Sequence, residues 1–293
     1  MSLLDEVQGP VLVHGITGRA GRRFAPHMRA YGTDVVGGVA PGHGGETVDG
    51  LPVFDTVERA VDATGARVVV AMLPPARAAA GLLECAYAGV RVAVCVTEGI
   101  GQHDLLLALQ VAADHGMRIV GPNTAGLLVP GRVTLGFLPT DFAEPGRCAL
   151  LSRSGTLSYE VAYECARTGI GLSAWIGVGG DGLKGAAFAD LFPELVAHDG
   201  TGALVLVGEI GTRDEEDVAP LVARSAVPVV ALIAGRSAPR GVAMGHAGAF
   251  VGGPGGGSWE SKVDTLRAAG ATVVTSPRAA ADAVRDALAG TAA

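Results

Sequence analysis

No apolar run in this sequence approaches the roughly 20 residues that a membrane-spanning helix needs. The opening stretch, MSLLDEVQGP, is acidic and lacks the basic and apolar regions of a secretory leader, so a cytoplasmic protein is expected. Lysine and arginine form no block and the net charge is −7, which argues against a footprint for nucleic acid or for an acidic membrane face. Cys85, Cys95, Cys148 and Cys165 lie far apart, with no CxxC or CxxH spacing, so neither a zinc site nor a disulfide framework is indicated. Buried free thiols are the simpler reading. The GxxxxGK[ST] signature of a triphosphate-binding loop is also missing. A small-molecule ligand or a protein partner remains.

Glycine and apolar residues are abundant. The 293 residues are 49% hydrophobic, enough to give each of two domains a core. The 45 glycines form no repeat and gather at the ends of apolar runs, where backbone can approach a ligand. Short apolar runs at 10–14, 34–40, 67–73, 91–97 and 117–121 alternate with helical spacing near 19–31, 55–63, 76–88 and 102–115. That alternation predicts parallel strands, right-handed crossovers and a Rossmann-like domain over 1–125. Pro26 should kink the first of these helices or delay its start. Residues 126–145, with Pro130, Pro139 and Pro145, read as an irregular connection. Over 146–293 a second series follows: strands near 147–152, 172–178, 203–209, 228–234 and 272–275, with helices near 156–168, 186–198, 214–225, 258–269 and 278–289. It predicts a flavodoxin-like doubly wound domain.

The first strand runs straight into Gly15-Ile-Thr-Gly18-Arg-Ala-Gly21, which puts glycines at a strand-to-helix turn whose free N–H groups can hold phosphate. A tight turn with no ligand would use the same letters. A nicotinamide dinucleotide fold would close its second strand on Asp or Glu to hold the ribose. Here that strand ends Val36-Gly37-Gly38-Val39-Ala40, followed by Pro41-Gly42-His43-Gly44-Gly45. The missing acid points away from NAD and toward another phosphate-bearing nucleotide.

Further motifs follow in a fixed order: VTEGI (96–100), GPN (121–123), SRSGTLSYE (152–160), GVGGD (177–181), GEIG (208–211) and MGHAGA (244–249). With GITGRAG (15–21) and the run at 31–54, the chain resembles the α subunit of succinyl-CoA synthetase over nearly its whole length. The resemblance implies a ligase in which ATP or GTP, bound with Mg2+ on a separate ATP-grasp β subunit, phosphorylates a histidine of the α subunit. That phosphate then passes to a small carboxylic acid, and the acyl phosphate is attacked by the thiol of coenzyme A. It further implies that His246 is the phosphorylated residue, Glu209 its orienting carboxylate, and Tyr159 and Asn123 substrate-side contacts. Thr17, Gly18, Arg19, Ala20, His43, Val96, Thr97 and Glu98 would line the coenzyme A site. The pair would assemble as αβ or α2β2.

Physical chemistry supports these roles. Imidazole attacks phosphorus through an unprotonated ring nitrogen while a carboxylate holds the other, although a histidine among glycines also reads as an ordinary surface residue. Ser154, Gly155 and Thr156 follow a strand and open a helix, where their amides and the helix dipole favour phosphate; a plain Ser/Thr N-cap accounts for the same residues. Gly177–Asp181 is a second such turn. Thr97 and Glu98 reach the carboxyl edge of the first sheet, and Glu98 also suits the first turn of a helix.

Three departures from the family pattern stand out. His43 replaces the lysine usual in PGKGG, Thr124-Ala125 follows GPN where the family tends to have Cys-Pro, and the run Gly252–Gly257 differs from its usual counterpart. The first two leave a non-catalytic acyl-CoA-binding regulator as a competing expectation, and the second leaves room for another acid such as malate.

Overall fold

The computed structural model describes residues 2–239, 241, 244–246, 248–251 and 257–290. Five of the six residues of the Gly252–Gly257 run therefore lie outside the described residues. Two compact units emerge, Met1–Leu138 with Leu183–Ala186, and Pro139–Gly182 with Ala187–Ala293.

The first unit contains α1 (Leu3–Glu6), β1 (Val11–His14), α2 (Arg19–Tyr31), β2 (Val35–Val39), β3 (Thr47–Val48), β4 (Leu51–Phe54), α3 (Val57–Thr64), β5 (Val68–Ala71), α4 (Pro75–Tyr87), β6 (Val92–Cys95), α5 (Gln102–Asp114), β7 (Arg118–Val120), β8 (Gly126–Val129) and β9 (Val133–Gly136). Its sheet runs β3-β4-β2-β1-β5-β6-β7, parallel except for the β3–β4 pair. Every residue of β1, β5 and β6 is buried, because helices cover both faces, and this explains the unbroken valine-rich runs. Rossmann-like architecture is thus present as expected.

Three local expectations need correction. Pro26 neither delays nor ends α2, which starts at Arg19 and continues to Tyr31. The carbonyl deprived of a donor belongs to Arg22, an exposed residue, so water can serve it. Residues 47–54, given no strand above, form a hairpin whose two-residue turn is Asp49-Gly50, with φ of 50° and 78°. Asp-Gly tolerates that left-handed pair, and the turn carries β4 back beside β2. Finally, the connection proposed for 126–145 contains the antiparallel hairpin β8–β9, turning at Pro130-Gly131. Pro130 and Pro139 lie outside the strands and Pro145 opens β10, so none interrupts a strand. The hairpin is fastened by Thr33, whose Oγ1 donates to Thr134 O at 2.8 Å and accepts the Thr134 N–H at 3.0 Å.

The second unit contains β10 (Pro145–Ser152), α6 (Gly155–Arg167), β11 (Leu172–Gly177), α7 (Phe188–Ala197), β12 (Ala203–Glu209), α8 (Asp214–Val222), β13 (Val229–Ala234), α9 (Trp259–Ala268), β14 (Thr272–Val274) and α10 (Pro277–Gly290). Its own five strands are parallel in the order β14-β13-β12-β10-β11. From β10 the chain steps to β11 on one side, then returns to build β12, β13 and β14 on the other. The order therefore reverses between β10 and β12, and a crevice opens outside their carboxyl ends. This doubly wound plan matches the flavodoxin-like expectation. No helix among the described residues is long and apolar enough to cross a membrane.

Candidate active site

In the first unit the predicted ligand residues fall on loops leaving the carboxyl ends of β1, β2 and β6, three strands of one parallel sheet. After β1, Gly15 takes φ of 90°, and a Cβ there would lie 2.6 Å from Met72 O, so only glycine fits the turn. Gly18 is the N-cap of α2 and makes no side-chain cap bond. The Arg19 and Ala20 amides thus belong to a first turn that lacks intrahelical acceptors. Thr17 and Ala20 are half-buried, Gly18 and Arg19 exposed, so a phosphate could approach.

The loop after β2 is organised by a residue that sequence reasoning missed. Asp55 Oδ1 accepts the amides of Gly42 at 2.9 Å and Gly44 at 3.0 Å, which folds the loop around one carboxylate. The Gly44 and Gly42 amides hold the Asp55 carboxyl below its ordinary range. His43 is exposed at the loop tip with Nδ1 3.0 Å from Glu46 Oε1. After β6, Val96 is half-buried and Glu98 exposed. Thr97 is buried, its Oγ1 donating to Leu73 O at 2.6 Å. Glu98 does not belong to a helix: α5 is capped by Gly101 and its first-turn acid is Asp104. Asn123, in the left-handed region at φ 54°, donates its amide to Thr97 O at 2.9 Å, which joins the loops after β6 and β7.

In the second unit, Glu209 ends β12 and His246 follows β13, so the sheet brings together residues 37 positions apart. His246 Nδ1 lies 2.8 Å from Glu209 Oε2 and 3.0 Å from Oε1. The imidazole is 30% exposed and the carboxylate 9%. Ser154, Thr156, Glu209 and His246 all line one open cavity of about 260 Å³, along with Ile210, Ala234, Met244 and Ala249. Ser154 is the N-cap of α6: its Oγ accepts the Leu157 amide at 3.3 Å, while its own amide donates to Ser152 Oγ at 3.1 Å. Of the three amides predicted to converge, those of Gly155 and Thr156 remain for an anion. The N-cap reading of SRSGT is present, and the cap leaves the first-turn amides open. Tyr159, one turn along α6, packs edge-on against Trp175 with ring centroids 5.7 Å apart, and burial raises its phenol pKa. It does not line the cavity.

Behind Glu209 lies a charge network with no counterpart in the sequence reading. Arg153, fully buried, places Nη2 3.2 Å from Glu209 Oε1 and donates through Nη1 to Glu209 O at 3.1 Å and Gly211 O at 3.0 Å. Its Nε is 3.3 Å from Asp214 Oδ2, and Nη1 is 3.5 Å from Glu215 Oε1, which also accepts the Glu209 amide at 3.0 Å. Glu215 pairs in turn with Lys262, one of only two lysines in the chain, which reaches Glu216 Oε2 at 3.1 Å. Burial disfavours the Glu216 carboxylate, but the Gly257 amide and the Lys262 ammonium outweigh it and lower its pKa. Among the described residues, no group of three or more His, Cys, Asp or Glu side chains could hold a metal ion.

Two family models match the chain: a CoA binding domain over residues 7–99 and a CoA-ligase model over residues 151–283. The succinate–CoA ligase (ADP-forming) α subunit 2 of Archaeoglobus fulgidus is 42% identical over 288 residues, covering 98% of this chain and 100% of the relative. The malate–CoA ligase α subunit of Methylorubrum extorquens is 39% identical over 294 residues, 99% of each chain. Among solved structures, ATP citrate lyase from Methanothrix soehngenii in complex with citrate and coenzyme A aligns over 98% of this chain with a TM-score of 0.87 and 21% identity. This chain spans 50% of that one, and the likeness is one of fold.

Proposed function

The chain belongs to the succinate–CoA ligase α-subunit family, and from that premise we propose that it is the coenzyme A-binding, phosphoryl-accepting subunit of an acid–thiol ligase. In this reading the reversible reaction converts succinate, coenzyme A and a nucleoside triphosphate to succinyl-CoA, the diphosphate and phosphate. The observation that carries it is the His246–Glu209 hydrogen bond inside a cavity bordered by the N-terminus of α6.

With Nδ1 donating its proton to Glu209, the in-plane lone pair of the ring belongs to Nε2. That lone pair attacks phosphorus, an N–P bond forms, and the P–O bond to the leaving group breaks with its electrons staying on oxygen. The ring then carries positive charge, which Glu209 offsets. Gly155 and Thr156 offer amides to the phosphoryl oxygens. Transfer to the succinate carboxylate restores the neutral ring. Coenzyme A supplies the thiol that captures the activated acyl group, and the Gly18–Ala20 turn is suited to its phosphates.

The nucleotide, with Mg2+, belongs to an ATP-grasp β subunit, and the ADP-forming relatives favour ATP over GTP. Four cysteines, all free, suit a reducing compartment such as the cytoplasm. Malate is a second acid to consider, on the strength of the relative with 39% identity. The test is reconstitution with the cognate β subunit and ATP. His246 should become acid-labile phosphohistidine, and the label should be discharged by coenzyme A with succinate and less readily with malate. A wild-type chain that binds coenzyme A yet never labels would instead be the regulator.

A further inference from the structure

We infer that Arg153 is a positioning residue for phosphoryl acceptance: by clamping Glu209, it sets which nitrogen of His246 is available to phosphorus. The inference rests on the functional reading above and adds to it a residue that never touches the reacting atoms.

Glu209 is gripped from several directions by charged side chains. Its amide donates to Glu215 at 3.0 Å, its carbonyl accepts from Arg153 at 3.1 Å, and its carboxylate faces Arg153 Nη2 at 3.2 Å. A carboxylate on a free side chain would rotate, and the imidazole could turn with it. Here the oxygens are fixed toward Nδ1, so the proton stays on that nitrogen and the attacking lone pair stays on Nε2. Arg153 is itself immobilised by Asp214, Glu215 and the carbonyl of Gly211. Lys262 neutralises the far side of Glu215. A planar guanidinium holds a carboxylate and two carbonyls in fixed directions through separate nitrogens, whereas a lysine ammonium is a point charge on a flexible stem that fixes no such directions. Burying this arginine among three acids is costly unless geometry is used for something, and the one side chain it fixes that reaches the cavity histidine is Glu209.

The decisive variant is Arg153→Lys, which keeps the charge and loses the fork. With 15N-histidine labelling, NMR of the full chain should show His246 mainly as the Nδ1–H tautomer in the wild type and as a mixture in the variant. With the β subunit and ATP, the variant should accept phosphate at least about tenfold more slowly, as expected when a close ion-pair contact to Glu209 is lost. 31P NMR should find only Nε2-phosphohistidine in the wild type and both isomers in the variant. KM for coenzyme A should not move. In a Glu209→Gln background the same change should add less than about twofold, because Arg153 acts through that carboxylate. An unaltered tautomer, or an equal rate loss in both backgrounds, overturns the proposal in favour of a purely structural arginine. If the wild type failed to label, the ligase reading would fall, while the tautomer measurement would still decide the role of Arg153. Should Arg153→Lys not fold, Asp214→Asn loosens the guanidinium from its outer side, and an unchanged tautomer there is equally fatal.

Discussion

The imidazole of His246 rests directly over Gly180: a Cβ built on Gly180 would stand 2.5 Å from both Cγ and Nδ1 of the ring. Gly180 lies in the turn after β11, and its carbonyl accepts the Gly248 amide at 3.1 Å, so the same turn supports the histidine loop. The absence of one methyl group lets Nδ1 reach Glu209. Gly180→Ala should push the ring off the carboxylate and slow His246 phosphorylation by at least about tenfold. Stability should change by no more than about 1 kcal/mol, because the displaced group is a half-exposed side chain. Initial labelling rates and urea unfolding together check this. Normal labelling would mean that the ring need not sit there.

Gly155→Pro isolates the role of a single amide. Gly155 is the first residue of α6, where proline is well accommodated, and Ser154 before it is extended at φ −97° and ψ 122°. The helix should therefore survive while one open first-turn N–H donor beside the cavity-lining Ser154 and Thr156 disappears. The expected result is a phosphohistidine formed about tenfold more slowly, in a protein no less stable than the wild type. Thermal unfolding and labelling rate separate the two effects.

Asp55→Ala addresses the first unit. Without the carboxylate that gathers the Gly42 and Gly44 amides, the loop carrying His43 loses its preformed shape. Affinity for coenzyme A should fall by about three- to tenfold, since the loop must then be ordered on binding. Calorimetric titration measures this. Phosphorylation of His246 should be unaffected.

His14, at the end of β1, is buried, and burial lowers its pKa from 6.5 to about 4. Its Nδ1 has no hydrogen-bond partner among the described residues. An unfolded chain takes up this proton first as pH drops, so the native state keeps its full stability above about 6.5 and loses it progressively down to about 4. The difference amounts to roughly 3 kcal/mol. Urea unfolding at pH 7.5, 6 and 5 should show a steeper acid loss for the wild type than for His14→Gln. Parallel slopes would refute the assignment.

Much of this was legible beforehand. Strand-and-helix alternation located nearly every parallel strand and its crossover, because strands buried on both faces leave long runs of valine and leucine. His246, Glu209, Ser154 and Thr156 were named from motifs and meet around one cavity. Most of what the sequence hides involves side chains whose partners are distant in the chain. Asp214–Asp217 puts four acids in the first turn of α8, and two of them, Glu215 and Glu216, are buried against Lys262. Nothing local in DEED distinguishes those two. Total burial of a rare lysine is likewise a long-range fact. Asp49-Gly50 is a local hairpin signal, and Pro130-Gly131 marks a corner between two strands of the 126–145 segment.

Thr33 binds the amide and carbonyl of Thr134 through one oxygen, closing a loop of 101 residues. A contact across so long a loop costs chain entropy before it is rewarded, so it is expected among the slower contacts to form. Valine has the same shape and neither bond. In its presence the sheet would still form, while the β8–β9 ribbon would come to rest with two orphaned peptide groups and a weakened grip on the body it closes.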